Sequence, residues 1–346
     1  MTGDITDFKQ LLGLVAAGQR LSIEQAKFAF DIMMAGDATP SQMGAFLMGL
    51  RVRGETIEEI TGGVLALRAR AIRINAPAGA IDVVGTGGDG VGTWNISTCA
   101  AIVVASLGVP VAKHGNRAAS SKSGAADVLT ALGVNIDADM TLVQKALDEI
   151  GLCFLMAQRH HGSMRHVGPT RVELGTRTIF NLVGPLANPA GTRRLMMGVF
   201  ARDWVEPIAY AQHNLGAERA WVVHGLDGLD ELTTTTGSLV AELRDGEVRS
   251  FEVTPEDAGL ERADIEALKG GDPATNALAL NAVLDGHQGA YRDIVLMNAA
   301  AALIVAGRAE TLRDGAAQAA RAIDDGLARR TLDGLIRVSH ETVSAK

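Results

Sequence analysis

Gly85-Thr86-Gly87-Gly88-Asp89-Gly90-Val91-Gly92-Thr93-Trp94-Asn95-Ile96-Ser97-Thr98 lies between a short apolar run at 81–84 and a long, helix-like apolar run at 99–107. Five glycines separate the two runs. A strand that empties through glycines into a helix N-terminus offers backbone N–H groups and the positive end of the helix dipole to an anion. The stretch therefore predicts a phosphate cradle in an α/β layer. Gly85, Gly87 and Gly90 also fit G-x-G-x-x-G, but the dinucleotide fingerprint expects an acid about 20 residues further on. No Asp or Glu occurs from Gly90 to Ala126, and four more residues precede Asn95-Ile96-Ser97-Thr98. The dinucleotide reading fails on both counts.

Downstream, 109–112 predicts a short strand and 113–123 a polar, loop-like stretch. In a chain with excess acid, the acid-free window holds Lys113, His114, Arg117 and Lys122 with Ser97, Thr98, Ser120, Ser121 and Ser123. A solvated basic loop would explain the charges alone. It would not explain glycines, hydroxyls and cations in two consecutive strand-to-loop switches, which suit a ligand with two separated phosphate groups. Helices are predicted at 125–132 and 141–150, a strand at 153–157, and helical periodicity at 171–182 before a Gly184-Pro185 and Asn188-Pro189 loop. The runs 196–200, 220–224 and 294–298 supply further strand and helix candidates. Such alternation predicts a mostly parallel sheet flanked by helices.

The first 75 residues read as wholly helical. Ser22 and Gln25 form a capping box, Thr56 and Glu59 another, and 41–50 is an amphipathic segment between them. Met33, Met34, Met43 and Met48 read as packing or oligomer contacts. The expected architecture is thus α/β: a small all-helical domain at 1–75 and a larger α/β domain at 76–346.

The 346 residues allow an ample core, 47% of them apolar and only 4% aromatic. A net charge of −8 argues against a chain that coats nucleic acid or an anionic membrane. Cys99 and Cys153 sit in apolar surroundings and read as buried free thiols of a reducing compartment. With no signal peptide and no membrane-length apolar run, a cytoplasmic protein is expected. A magnesium ion on a pyrophosphate would need carboxylates. Asp230-Glu231, just beyond the apolar run 221–223, is the best candidate, although paired acids in a glycine-rich loop are commonly exposed turn residues. The segment 160–171 is rich in His and Arg but lacks HExxH-like spacing, and Arg165 or Arg171 would suit a substrate carboxylate.

Taken in order, G-T-G-G-D-G (85–90), N-I-S-T (95–98), K-H-G-N-R (113–117), S-S-K-S-G (120–124), R-V-E-L-G-x-R-T (171–178), N-L-x-G-P-L-x-N-P (181–189) and D-E (230–231) resemble the anthranilate phosphoribosyltransferases of tryptophan biosynthesis, in the nucleoside phosphorylase and phosphoribosyltransferase superfamily. The resemblance implies a helical domain completed by helices in about 170–190, a hinge, and a homodimer formed through the helical part. It implies transfer of a phosphoribosyl group from phosphoribosyl pyrophosphate to anthranilate, with Mg2+ and with no acid–base or nucleophilic side chain. Gly85, Gly88, Asp89, Thr93, Asn95, Ile96, Ser97, Thr98, Lys113, His114, Gly115, Asn116, Arg117, Ala118, Ala119, Ser120, Ser121 and Ala125 would hold phosphoribosyl pyrophosphate. Gly85, Asn116, Arg171 and His114 would hold anthranilate, and Ser97, Asp230 and Glu231 the metal. Ala125 stands where the family usually has Ser, and Gly162 where Pro is common. A pyrimidine nucleoside phosphorylase shares the architecture but its glycine loops read differently. A nucleic-acid-binding paralogue is opposed by the net charge and the intact acid pair.

Overall fold

The computed structural model describes residues 7–118 and 122–342. Its N-terminal segment is four helices, α1 (Phe8–Ala16), α2 (Ile23–Ala35), α3 (Pro40–Arg53) and α4 (Ile57–Arg70). The Ser22–Gln25 and Thr56–Glu59 boxes close as expected, and Thr39–Gln42 adds a third ahead of Pro40. Each satisfies orphan N–H groups at a helix start. Glu59 does more than cap. Its buried carboxylate also accepts the Leu21 N–H at 3.0 Å and pairs with Arg53, tying the α1–α2 turn to α4.

Beyond α4 the chain runs β1 (Ile81–Gly85), α5 (Ile96–Ser106), β2 (Val111–Gly115), α6 (Ala125–Ala131), α7 (Met140–Ile150), β3 (Leu152–Met156), α8 (Ala157–His160), α9 (Gly168–Leu174), α10 (Phe180–Leu186) and β4 (Arg194–Gly198). It continues through α11 (Val205–Asn214), β5 (Arg219–Gly225), β6 (Ser238–Arg244), β7 (Glu247–Val253), α12 (Pro273–Leu284), α13 (Ala290–Ala306), α14 (Leu312–Asp324) and α15 (Leu327–Ser339). The sheet order is β3-β2-β1-β4-β5-β6-β7, parallel from β3 to β5 and antiparallel through β6 and β7. Strand order reverses direction between β1 and β4, which pair in register from Ile81 with Arg194 to Gly85 with Gly198.

Alternate residues of these strands feed two different cores. Ile81, Val83, Met196 and Val223 face α5 and α13, while Val84, Leu195, Met197 and Val222 share a core with α2, α4, α10 and α11. Burial on both faces explains why the strands read as continuous apolar runs. α9 packs on α3 and α10 on α4, so residues beyond β3 return to the N-terminal helices.

Two expectations change. Lys113, His114 and Gly115 are strand, not loop, and the first two are buried. The periodicity at 171–182 is broken into α9 and α10 at Gly175, whose φ of 58° ends the helix. Of the strand and helix candidates, the run 294–298 is helix, inside α13. The β6–β7 hairpin was not expected, although its Asp245-Gly246 turn, with φ of 53° and 82°, carries the usual two-residue hairpin signal. Cys99 and Cys153 are buried and unpaired. Among the described residues no helix is long and apolar enough to cross a membrane.

Candidate active site

The C-terminal ends of β1 and β4 meet at the reversal of strand order, the position where open α/β sheets bind ligands. Gly85 and Gly198 lie side by side there, and Asp230 rests across both. A Cβ on Gly198 would fall 1.5 Å from the Asp230 carbonyl oxygen, and one on Gly85 would fall 2.5 Å from its Oδ2. The two glycines form a floor that no side chain could share with Asp230. From that floor the chain enters a loop in which Gly87 and Gly88 have φ of 65° and 74°, a left-handed conformation that strains other residues. The Gly87 N–H donates to Asp230 Oδ2 at 2.6 Å, and Asp89 accepts the Val91 N–H at 3.1 Å. From the other side Arg177 donates to the Gly88 carbonyl, its guanidinium 4.3 Å from the centre of the Phe200 ring.

The second half of the loop is held differently. Thr93 bridges to Lys269, the Trp94 N–H donates to the Leu268 carbonyl, and the Gly270 N–H donates to Gly92. Trp94 stacks on Tyr291, whose hydroxyl donates to the Asn95 carbonyl at 3.2 Å. The loop is thereby fixed where α5 begins. Ile96 and Thr98 are buried in that first turn, and the Ser97 N–H donates to Glu231 Oε1 at 3.2 Å. The acid pair therefore faces the helix start that the sequence marks as anionic in preference. Asn298, fully buried on α13, holds the adjoining peptide by accepting the Leu232 N–H at 3.0 Å and donating to the Leu232 carbonyl at 2.8 Å.

Asp230 and Glu231 are buried, with Lys113 beside them. Lys113 Nζ donates to the Val83 carbonyl at 2.6 Å and reaches Ser97 Oγ at 3.4 Å. Burial, reinforced by the charge of Asp89, pushes Asp230 up to about 7. Burial and the Asp230 charge push Glu231 well above the usual carboxylate range. Burial pulls Lys113 down, against the attraction of Asp82, Glu231 and Asp230. Buried carboxylates held at such a cost fit a hard cation. Among the described residues no three His, Cys, Asp or Glu side chains converge as a metal cage. Two carboxylates and a hydroxyl instead suit a Mg2+ ion whose remaining ligands come from phosphate and water.

β2 ends next to this cluster. Asp82 is wholly buried beneath it, accepting the His114 N–H at 3.0 Å and an Asn188 amide N–H at 2.7 Å. His114 packs edge-on against His161, ring centres 5.3 Å apart. His114 Nε2 and both His161 nitrogens lack a partner in hydrogen-bonding geometry, although the Ala187 backbone lies close enough to oppose part of the downward shift at His161. Burial, then neighbouring imidazoles, pulls His114 well below its ordinary value and His161 down to about 4. Both rings are neutral at pH 7. Asn116 Oδ1 accepts the Arg117 N–H at 2.8 Å, while Arg117 and the Ala118 N–H both bind Asp127. Ala119, Ser120 and Ser121 lie outside the described residues. Gly115 closes β2, and Ala125, which opens α6, is 3.2 Å from where a Gly115 Cβ would stand.

Arg171, on α9, lies 5.3 Å from the centre of the Phe180 ring and makes no ion pair among the described residues. Burial lowers its pKa. Gly198, Asp82, Asn188, His161 and Asn298 also line or support the site, and Gly198, Asp82 and Asn298 carry no mark of it in the sequence. The His160-His161 pair is a visible signal, and among the described residues neither ring joins a group of three metal-ligating side chains.

Two family models cover the chain: the glycosyl transferase family helical bundle domain at residues 9–71 and the glycosyl transferase family a/b domain at 78–329. The anthranilate phosphoribosyltransferase of Paramagnetospirillum magneticum is 63% identical, covering 96% of each chain, and that of Parvibaculum lavamentivorans is 60% identical, covering 97% of this chain and 98% of its own. The crystal structure of the Thermus thermophilus enzyme superposes with a TM-score of 0.91 at 42% identity, over 96% of this chain and 99% of that one. The Saccharomyces cerevisiae enzyme in complex with PRPP and Mg superposes with a TM-score of 0.88 at 27% identity, over 96% and 97%. With both helical and α/β parts matched along almost the whole length, the chain belongs to the anthranilate phosphoribosyltransferase family of glycosyl transferases.

Proposed function

We propose that the chain transfers the 5-phosphoribosyl group of phosphoribosyl pyrophosphate to the amine of anthranilate, releasing pyrophosphate, as the second step of tryptophan synthesis from chorismate. One observation carries this reading: the buried Asp230-Glu231 pair lies over the glycine loop, against Lys113 and the start of α5. Ser97, Asp230 and Glu231 would hold Mg2+, which supplies charge neutralisation to the pyrophosphate. The loops after β1 and β2 bind the ribose 5-phosphate and the pyrophosphate through backbone N–H groups and hydroxyls.

Anthranilate is an aniline-type amine and is already neutral at pH 7, so no side chain needs to remove a proton before attack. As the C1–oxygen bond breaks, negative charge grows on the pyrophosphate and positive charge on the ribose. Lys113 and the backbone donors stabilise the first by preorganised electrostatics. Arg171, without an acid partner among the described residues, suits the anthranilate carboxylate, and Asn116 with the neutral His114 ring lines its approach. The unpartnered nitrogens of His114 and His161 support a polar ligand there. Closure of the helical segment (1–75 with 170–190) on the remainder from 76 onward aligns the amine and excludes water.

Loss of anthranilate fluorescence on adding phosphoribosyl pyrophosphate and Mg2+ tests the reaction; folded protein that leaves the fluorescence unchanged refutes it. A homodimer through the helical segment is supported by its exposed Phe28, Val52, Leu65 and Val172, and light scattering should give twice the 36.1 kDa chain mass. Two unpaired buried thiols support a cytoplasmic location.

A further inference from the structure

Asn276 stands on α12, 181 residues from the loop it touches, and is 1% exposed. Its amide N–H donates to Asn95 Oδ1 at 2.8 Å, and its Oδ1 accepts the Gly271 N–H at 2.7 Å. Asn95 Oδ1 also accepts from Ser123 Oγ at 3.2 Å, and Asn95 Nδ2 donates to the Ser123 carbonyl at 3.1 Å. The two ends of this chain are backbone groups of fixed polarity: an N–H at Gly271 and a carbonyl at Ser123. Neither amide can flip without facing donor to donor or acceptor to acceptor. The orientation of Asn95 is therefore dictated, and Asn95 belongs at once to the loop after β1 and, through Ser123, to the loop after β2.

We infer that Asn276 is a positioning residue for phosphoribosyl pyrophosphate: by polarising and orienting Asn95, it locks the two phosphate loops in register. The inference rests on the proposed function, since it concerns the ligand that spans both loops. Asn276 touches no reacting atom and acts only through Asn95. Its loss should weaken the doubly phosphorylated substrate and leave the acceptor alone.

The sharper variant is N276D, which keeps the size of the side chain and the acceptor for Gly271 N–H but turns a carboxylate on Asn95 Oδ1. Asn95 must then either flip, losing the Ser123 carbonyl, or retreat. N276A removes the donor and is the simpler companion. Calorimetry of phosphoribosyl pyrophosphate with Mg2+, without anthranilate, reads the effect directly. In N276D the affinity should fall about tenfold, the scale of one buried hydrogen bond lost against the ligand. Steady-state KM for phosphoribosyl pyrophosphate should rise in parallel, with KM for anthranilate and kcat at saturation within about twofold of the unmodified chain. A folded N276D that binds phosphoribosyl pyrophosphate as the unmodified chain does overturns the inference. So does an equal loss in both KM values and kcat, which would mark general loosening. If the unmodified chain binds phosphoribosyl pyrophosphate but leaves anthranilate untouched, the acceptor reading fails and this inference survives. If it binds none, both fail.

Discussion

After β1 the chain turns through 86–95 beneath Asp230 and Glu231, and most ties that hold it come from far along the sequence: Asp230, Arg177, the segment 267–271, Asn276 and Tyr291. After β2, apart from the Asn95–Ser123 bonds, the ties are local. Asp127, in the first turn of α6, accepts N–H groups from Ala118 at 2.8 Å and Gly124 at 3.0 Å and pairs with Arg117 at 3.1 Å. Both are strand-to-helix switches in the parallel part of one sheet, yet one presents buried acid and the other an acid already satisfied by backbone. Partial burial pulls Asp127 up, but those donors outweigh it and its pKa is lowered. Asp230, buried beside the charge of Asp89, goes the other way. The first switch is suited to a cation that carries phosphate, the second to bare phosphate. Variants of the first should change the Mg2+ requirement; variants of the second should change only affinity for phosphoribosyl pyrophosphate.

The largest effect belongs to the acid pair. D230N combined with E231Q should cut turnover by roughly three orders of magnitude or more, as expected when a metal site for leaving-group charge is lost. Pyrophosphate release assayed across Mg2+ concentrations checks it, and a near-normal rate would sink the metal assignment. The same pair sets a pH dependence. Asp230 keeps its proton to about pH 7 in the fold but loses it around its ordinary value of 3.8 when unfolded. Its contribution to stability is thus full below that lower value, declines as pH rises towards 7, and is flat beyond. Binding of Mg2+ with pyrophosphate requires the ionised form, so it should raise the Tm more at pH 8 than at pH 6. An equal rise at both would contradict the raised pKa.

Next comes the floor. In G198A the new methyl would meet the Asp230 carbonyl oxygen at 1.5 Å, so the backbone that carries the acids must move. Turnover should drop roughly a hundredfold, on the scale of a small misplacement of catalytic groups, and the Mg2+ concentration for half-activity should rise. Unchanged Mg2+ dependence would show that the acids do not need that floor.

Gly198 also marks the limit of reading the sequence. The parallel strands, the helical start, the glycine loop and the acid pair are legible because each is written in local pattern: apolar runs, capping boxes, consecutive glycines, adjacent acids. Lys113 and His114 are legible as site residues but read as loop, since charges in a strand contradict its apolar signal; the acids Asp82, Asp230 and Glu231 around Lys113 are what make a buried strand lysine tenable. Gly198 follows Met196-Met197 with no local mark of its importance. Only the β1–β4 register, which brings it beside Gly85, explains it. Asn276 and Asn298 are likewise ordinary helix residues until helix packing turns them towards the loops.

The second switch should break more gently. D127A removes two backbone caps and the Arg117 partner, and the KM for phosphoribosyl pyrophosphate should rise about tenfold, comparable to losing one helix-cap contribution. Its Mg2+ dependence should stay as it was; a shift there would mean that the two loops are not separable.

R117A should be the mildest. The Arg117–Asp127 pair has a side chain 49% exposed on the Arg side, so water already screens it, and exposed pairs contribute about 0–1 kcal/mol. Removing the guanidinium leaves the Ala118 and Gly124 donors on Asp127, and the loop keeps its caps. Melting and steady-state kinetics should therefore show a Tm within about 3 °C and a KM for phosphoribosyl pyrophosphate within about threefold of the unmodified chain. The ranking of the two variants is what decides the role of this switch. Should R117A prove more damaging than D127A, the arginine must act on the ligand itself rather than through Asp127, and the loop after β2 would hold phosphate by a side-chain cation as well as by its backbone.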